Sequence, residues 1–503
     1  MNAKRILISP IFTFALLACG VFAFFFFVLP FHLYHREQIS LFLCNSAFVM
    51  PYFQHTAGIS ALIGDFLTQF FYYIGIAPLI ISLIVLGIGL ATYHAAKLLQ
   101  MPHIVAHIVG ALTLIWEALR HTYFLYPLSS SVAVLIALLL TLLYPTQATI
   151  RTRTICAIAL LALGIWLTGY PTWILCFFIL IIEIKHRSFP TIATCAIAIF
   201  VIPTQTPQYA NLIAWPNLQL EQQFATDTKY YWNPSDTSIV GNNNSTVGQY
   251  YQFLTSCSTA NGFDAFLNTR TLRQTAILPV DENSNYFNIT AAGEAWFRMG
   301  DMTMAEHATM LGMIFSPYHH GTRHLRRLAE INMIVGDNDA TQKYLSILRQ
   351  TIVHAKWAKQ HQHLNAYLAY IASMQPTTDT IRYTTDFRRS LRNLLCANAN
   401  NTLARNYLFF TLLKNKDIIA FATDVDKYAP QLPLNNTMAE AYIAALASMT
   451  NADRQLHNPN RVPTEVYNRF VQFNNLYTKR DSVALRANFA NSYWFYYKFH
   501  NVR

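Results

Sequence analysis

Apolar residues gather into seven segments early in the chain, at about 6–30, 73–96, 102–118, 123–144, 154–168, 171–184 and 189–203. The first, second and fourth are long enough to cross the roughly 30 Å hydrocarbon core of a bilayer as helices. Gly169-Tyr170-Pro171 interrupts the run from 154 to 184 with turn residues, which predicts two helices there instead of one. A long connection, residues 31–72, separates the first two segments. Within it ISALIGDFLTQFF (59–71) sets Ile59, Leu62, Ile63, Phe66, Leu67, Phe70 and Phe71 at helical spacing, with Gly64, Asp65, Thr68 and Gln69 on the opposite face. That pattern predicts an amphipathic helix in the membrane interface, its polar face turned to water or to an external site.

The pattern changes after residue 203. Residues 203–247 are rich in Thr, Asn, Gln and Pro and read largely as loop. From about 290 a helical period takes over and repeats. AWFRMGDMTMAEHATMLGMIFSP (295–317) reads as helix, Gly-Asp turn, helix, Pro. RRLAEINMIVGDNDATQKYLSILRQ (326–350) follows the same plan, with Gly336 36 residues after Gly300. A third unit is expected at 402–430 around Asn415-Lys416-Asp417, and further helices begin near Thr464 and Ser482. Helix pairs near a period of roughly 34 residues, with Ala305, Ala308 and Ala340 at the turns, predict a tetratricopeptide-like solenoid. The expected fold class is therefore all-α: a polytopic transmembrane helix bundle of about seven spans (1–203), a loop-rich connection with short helices (204–289), and a soluble tetratricopeptide-like helical-repeat domain (290–503).

Composition sharpens the division. Only 12% of the 503 residues are charged, about half the usual share. Just four carboxylates, Glu37, Asp65, Glu117 and Glu183, precede residue 204. With seven spans, Lys4, Arg5, Lys97, Arg151, Arg153, Lys185 and Arg187 fall on one side, and Arg36 and Arg120 on the other. This bias predicts a cytoplasmic N-terminus and an outward-facing C-terminal domain. The net charge of +11 is spread without any Lys/Arg block of five, which argues against nucleic acid as a partner. The seven cysteines show no CxxC and no zinc spacing, so no disulfide framework is expected. LLAC-Gly20 (16–20) has the look of a lipoprotein cleavage box. The apolar run continues through GVFAFFFFVLP, however, which predicts an uncleaved first span.

Three stretches, DFLTQFFYYIGIAPLI (65–80), RLAEINMIVGDNDATQKYLSILRQTIVHAKWA (327–358) and NSYWFYYKFH (491–500), carry a resemblance to an uncharacterised family of polytopic membrane proteins from Bacteroidota. The resemblance spans most of the chain. It implies an inner-membrane protein with a periplasmic helical domain in a Gram-negative cell, and it implies no activity and no catalytic residues.

The residues offer chemistry at one place above all. No GxxxxGK[ST], HExxH or GxSxG motif occurs. No cofactor is expected, and His319-His320 beside Pro317 reads as a turn before it reads as a metal site. The topology instead collects polar groups on the outer membrane face. These are His32, His35, Arg36 and Glu37 in FHLYHREQ, Asp65 and Gln69 on the interfacial helix, Glu117, Arg120 and His121 in the next outer turn, and Tyr170 in the last. Carboxylates at the hydrocarbon edge are costly and are paired or functional. In the bland reading the two arginines snorkel to lipid phosphates while Glu37 and Glu117 neutralise them. In the sharp reading the cluster is the active site of a glycosyltransferase using a polyprenyl-phosphate-linked sugar. Arg36 or Arg120 would hold the phosphate, Glu37 or Asp65 would deprotonate the acceptor, and His35, Gln69, Glu117, His121 and Tyr170 would line the site. The competing class is a membrane-anchored scaffold whose repeats bind a periplasmic or envelope protein. The tail SYWFYYKFH fits sugar stacking, the membrane interface or plain packing. A transporter is the weakest class, because no charged residue sits in mid-span.

Overall fold

The computed structural model describes residues 10–123, 125–205, 254, 257, 286–316, 320–378, 384 and 386–499, and among them every regular element is helical. The first helices are α1 (Pro10–Phe27), α2 (Pro30–Gln38), α3 (Ser46–Gln54), α4 (Gly58–Thr68), α5 (Ile76–Leu98), α6 (His103–Arg120), α7 (Leu128–Leu142), α8 (Ile150–Thr168), α9 (Thr172–His186) and α10 (Phe189–Gln205). They are followed by α11 (Tyr286–Arg298), α12 (Met302–Phe315), α13 (Thr322–Val335), α14 (Asn338–Arg349), α15 (Ala355–Gln360), α16 (Ala366–Ser373) and α17 (Phe387–Ala397). The last are α18 (Thr402–Lys414), α19 (Ile418–Tyr428), α20 (Asn436–Ser448), α21 (Asn451–Arg454), α22 (Thr464–Thr478), α23 (Ser482–Phe489) and α24 (Tyr493–Phe499). Most of the expected loop-rich stretch 204–289, and His319, lie outside the described residues.

The chain sorts into two compact units. One comprises 1–231 with 316–326 and 342–362, and the other comprises 232–315, 327–341 and 363–503. In the first unit each of the seven apolar segments is a separate helix. Four of them, α1, α5, α6 and α8, are long and apolar enough to cross a membrane. The break at 169–171 is real: Gly169 adopts φ 67°, a left-handed value, between α8 and α9. Helices α1, α5, α6 and α7 share a core of Phe14, Val85, Ile88, Leu114 and Leu138. Small residues bring them together, and a Cβ at Gly110 would stand 2.8 Å from both the Gly89 carbonyl and the Phe14 ring.

The helix expected at 59–71 forms as α4, followed by a 3-10 turn over Gln69–Tyr72, but part of its polar face is turned inward instead of to water. The small and polar stripe points inward. Ser60, Gly64 and Gln69 are buried, while Ile63 and Phe66 are among the exposed large apolar residues. The cause is close packing: a Cβ at Gly64 would fall 2.4 Å from the backbone of Ser129 on α7. Where the surroundings are lipid, the apolar face can look outward and the small face can dock.

The second unit is built from helical hairpins that close with one recurring turn. At Gly300, Gly336, Lys416 and Arg480 the backbone is left-handed, with φ between 57° and 87°. The next residue is Asp each time, and its amide reaches back five residues, as in Asp301 to Trp296, Asp337 to Asn332, Asp417 to Leu412 and Asp481 to Leu476. Each of these aspartates then caps the following helix, accepting from Met304, Ala340, Ala420 and Ala484. The turn thus ends one helix as a Schellman motif and starts the next at a single residue. At the centre, α18 and α20 are buried on nearly every side, as expected of helices apolar or small all round. The aromatic tail packs onto them. Tyr493 and Tyr496 donate their hydroxyls to the terminal carbonyls of α18 at Leu413 (2.6 Å) and Lys414 (2.8 Å), and Trp494 donates to the Glu440 carbonyl (2.7 Å).

Candidate functional site

The sequence places its polar cluster after the first span, and α2 carries it. Pro30 opens this helix and leaves Arg36, Glu37 and Gln38 in its last turn. All three side chains are buried, as is His35. They face different partners. Arg36 donates to His121 Nδ1 (3.0 Å) and to the carbonyls of His121 (3.2 Å) and Tyr123 (2.7 Å). A guanidinium only donates, so His121 Nδ1 is an acceptor and its proton sits on Nε2. That proton goes to Ser131 Oγ at 2.7 Å, and Ser131 in turn donates to Glu117 Oε1 at 2.6 Å. Tyr126 donates to the same carboxylate oxygen, while Arg120 binds the other at 3.1 Å. Arg36, His121, Ser131 and Glu117 therefore form one directed hydrogen-bond chain.

Glu37 faces the other way. Its Oε1 accepts from His354 Nε2 at 2.7 Å and from Thr322 Oγ1 at 3.1 Å, and Gln38 accepts from Arg323 at 2.9 Å. Backbone bonds lock the same neighbourhood, from Thr322 to the Ser40 carbonyl and from Cys44 to the Gln350 carbonyl. Segments 316–326 and 342–362 are thus stitched to residues 37–45 within the first unit. The expected pairing of Arg36 with Glu37 does not form. Adjacent positions on a helix point about 100° apart, and each residue finds a partner on its own side. Nor does either arginine snorkel outward: Arg36 and Arg120 are each 5% exposed.

Asp65 stands apart in character. Tyr52 donates to its Oδ2 at 2.9 Å, and burial pushes the carboxyl up to about 6, the tyrosine bond opposing this only in part. One turn on, Gln69 has both ends of its amide buried without a hydrogen-bond partner among the described residues. Tyr170 meets Trp173 edge-on at 5.7 Å. The side chain of His32 lies outside the described residues.

Each of the four early carboxylates thus has a partner, the last being Glu183, which forms an ion pair with Arg153 (3.3 Å) and accepts a hydrogen bond from Tyr144 (2.9 Å). This is what the cost of isolated charge near lipid demands. Sequence reasoning missed Tyr52, Tyr126, Ser131, Thr322, Arg323 and His354. The run Ser129-Ser130-Ser131 at the head of an apolar segment was a usable signal, whereas nothing local marks His354. Among the described residues no group of three or more His, Cys, Asp or Glu side chains is placed to hold a metal ion.

The family of unknown function DUF6057 matches residues 4–241 and 240–500. The chain belongs to that family. Comparisons of this DUF6057 chain with curated proteins and with solved structures each returned no match.

Proposed function

We propose that the chain is a membrane-anchored scaffold, with apolar helices that hold it in the bilayer and helical hairpins that present a surface to a partner protein. The observation that carries this reading is the turn repeated at Gly300, Gly336, Lys416 and Arg480. A unit reused in this way builds an extended surface, the usual platform for protein binding. In this reading the array is tetratricopeptide-like, the seven apolar segments make about seven spans, and the hairpins lie in the periplasm of a Gram-negative cell. The internal pairing of Arg36, Glu37, Gln38, Glu117 and Arg120 supports it, because these groups are spent on the fold. Cys44 and Cys396 are both exposed, which gives a direct test of sidedness. A membrane-impermeant maleimide should label both in intact spheroplasts, and labelling of either only after lysis defeats the topology.

Asp65 favours a second reading, transfer of a sugar from a polyprenyl-phosphate donor. A carboxyl held at about 6 beside an unsatisfied amide is suited to general-base work near neutral pH. Returning Asp65→Asn to a deletion strain and profiling envelope glycans separates the two. The scaffold reading expects a wild-type profile, and a variant at normal level that reproduces the deletion defect hands the case to the enzyme.

A further inference from the structure

The hairpin array ends in a groove. Helices α23 and α24 leave between them a cavity of about 670 Å³ lined by Ser482, Val483, Arg486, Ala487, Phe495 and Phe499, a volume typical of ligand pockets. Helix α23 turns Leu485 and Phe489 into the core, so its groove residues sit on the outer face, with Val483 79% exposed. The opposite wall is held firmly, since Tyr493 and Trp494 anchor α24 to α18 and α20. The lining is mostly apolar, and cations lie close to it along the chain. Arg486 lines the groove itself. Lys498 lies 5.2 Å from the centre of the Tyr477 ring, which meets Phe499 at 6.1 Å. Lys479 and Arg480 form the turn leading into Ser482. Against these four cations, residues 476–499 hold one acid, Asp481, and its carboxylate already caps α23 through Ala484.

We infer that this groove is a docking site for an acidic segment of a partner protein that inserts a large apolar side chain beside Val483, Phe495 and Phe499. Charge complementarity selects the acidic partner, and the buried anchor supplies the affinity. The concave shape favours a protruding side chain over a flat bilayer surface. The inference rests on the scaffold reading and names the face and the chemistry of its partner.

The test uses the full-length chain in nanodiscs and fluorescence anisotropy with short labelled helical peptides. One peptide carries two Phe one turn apart among Glu residues. A second has Lys for Glu, and a third has Ala for Phe. Saturable binding of the first alone is expected, weakened about tenfold or more by Arg486→Glu and by Val483→Asp, and weakened by added salt. Absence of binding, or equal binding by both variants, overturns the proposal. So does displacement of the peptide by phosphatidylglycerol vesicles, which assigns the groove to a lipid surface. Photo-crosslinkers at the exposed Tyr370 and Ile419, used in intact cells, keep the two readings apart. Protein adducts there without peptide binding reject the groove alone, whereas no adducts reject the scaffold as well.

Discussion

Asp65 pays for its position at neutral pH. Its ordinary value of 3.8 rises to about 6 in the fold because burial disfavours the charged form. The folded state therefore holds the proton more tightly than the unfolded chain. Between about 6 and 3.8 folding gains as pH falls, and above that window the fold carries a penalty on the order of 3 kcal/mol. Asn at this position keeps an acceptor for Tyr52 and removes the charge. Asp65→Asn should raise the thermal midpoint at pH 7.5 and match the wild type near pH 4, read by thermal unfolding in detergent. A gap that stays constant with pH would refute the burial account. Its cost was legible in sequence only as an acid among apolar residues, since the packing of Gly64 on Ser129 that turns this face inward depends on a neighbour far along the chain.

At the scale of elements, the turns were the most readable feature. Gly300-Asp301 and Gly336-Asp337 announce themselves, because glycine takes a left-handed φ without steric cost. Lys416 and Arg480 do the same job with a side chain attached, so a search for Gly-Asp finds half of the set. The two glycines nevertheless differ in what surrounds them. A Cβ at Gly336 meets nothing within 4 Å, whereas one at Gly300 would lie 2.6 Å from the Met374 carbonyl. Gly336→Ala should cost about 1 kcal/mol, from backbone conformation alone. Gly300→Ala should cost several times that, because backbone must move. Chemical denaturation of the two variants checks the order, and equal losses would mean the Met374 contact does not matter.

For the molecule as a whole, the seven apolar segments and their breaks could be read directly, since a continuous apolar run closed by turn residues marks a helix without knowledge of its neighbours. The composition of the first compact unit could not be read. Residues 316–326 and 342–362 belong to it through bonds to residues 37–45, and no local pattern encodes a partner so distant. A chain ending at residue 315 lacks Thr322, Arg323 and His354, and so strips Glu37 of these bonds. Removing a partner from a buried charge costs about 3–5 kcal/mol. The truncated chain should accumulate poorly in membranes, and Glu37→Gln within it should restore part of the level by removing the charge. Equal levels with and without that substitution would show that the carboxylate is indifferent to these contacts.

The pairing of Glu37 also sets a clock on biosynthesis. Thr322 follows it by 285 residues and His354 by 317. At a synthesis rate of about 5–20 residues per second, the loop after the first helix waits roughly 15–60 seconds for the side chains that complete it. For that interval the nascent protein holds a carboxylate in a site shaped for burial, and Thr322 and His354 must be made and brought to it before the loop can settle. Newly made chains should thus pass through a protease-sensitive stage at residues 37–45 that ends only after His354 has been synthesised.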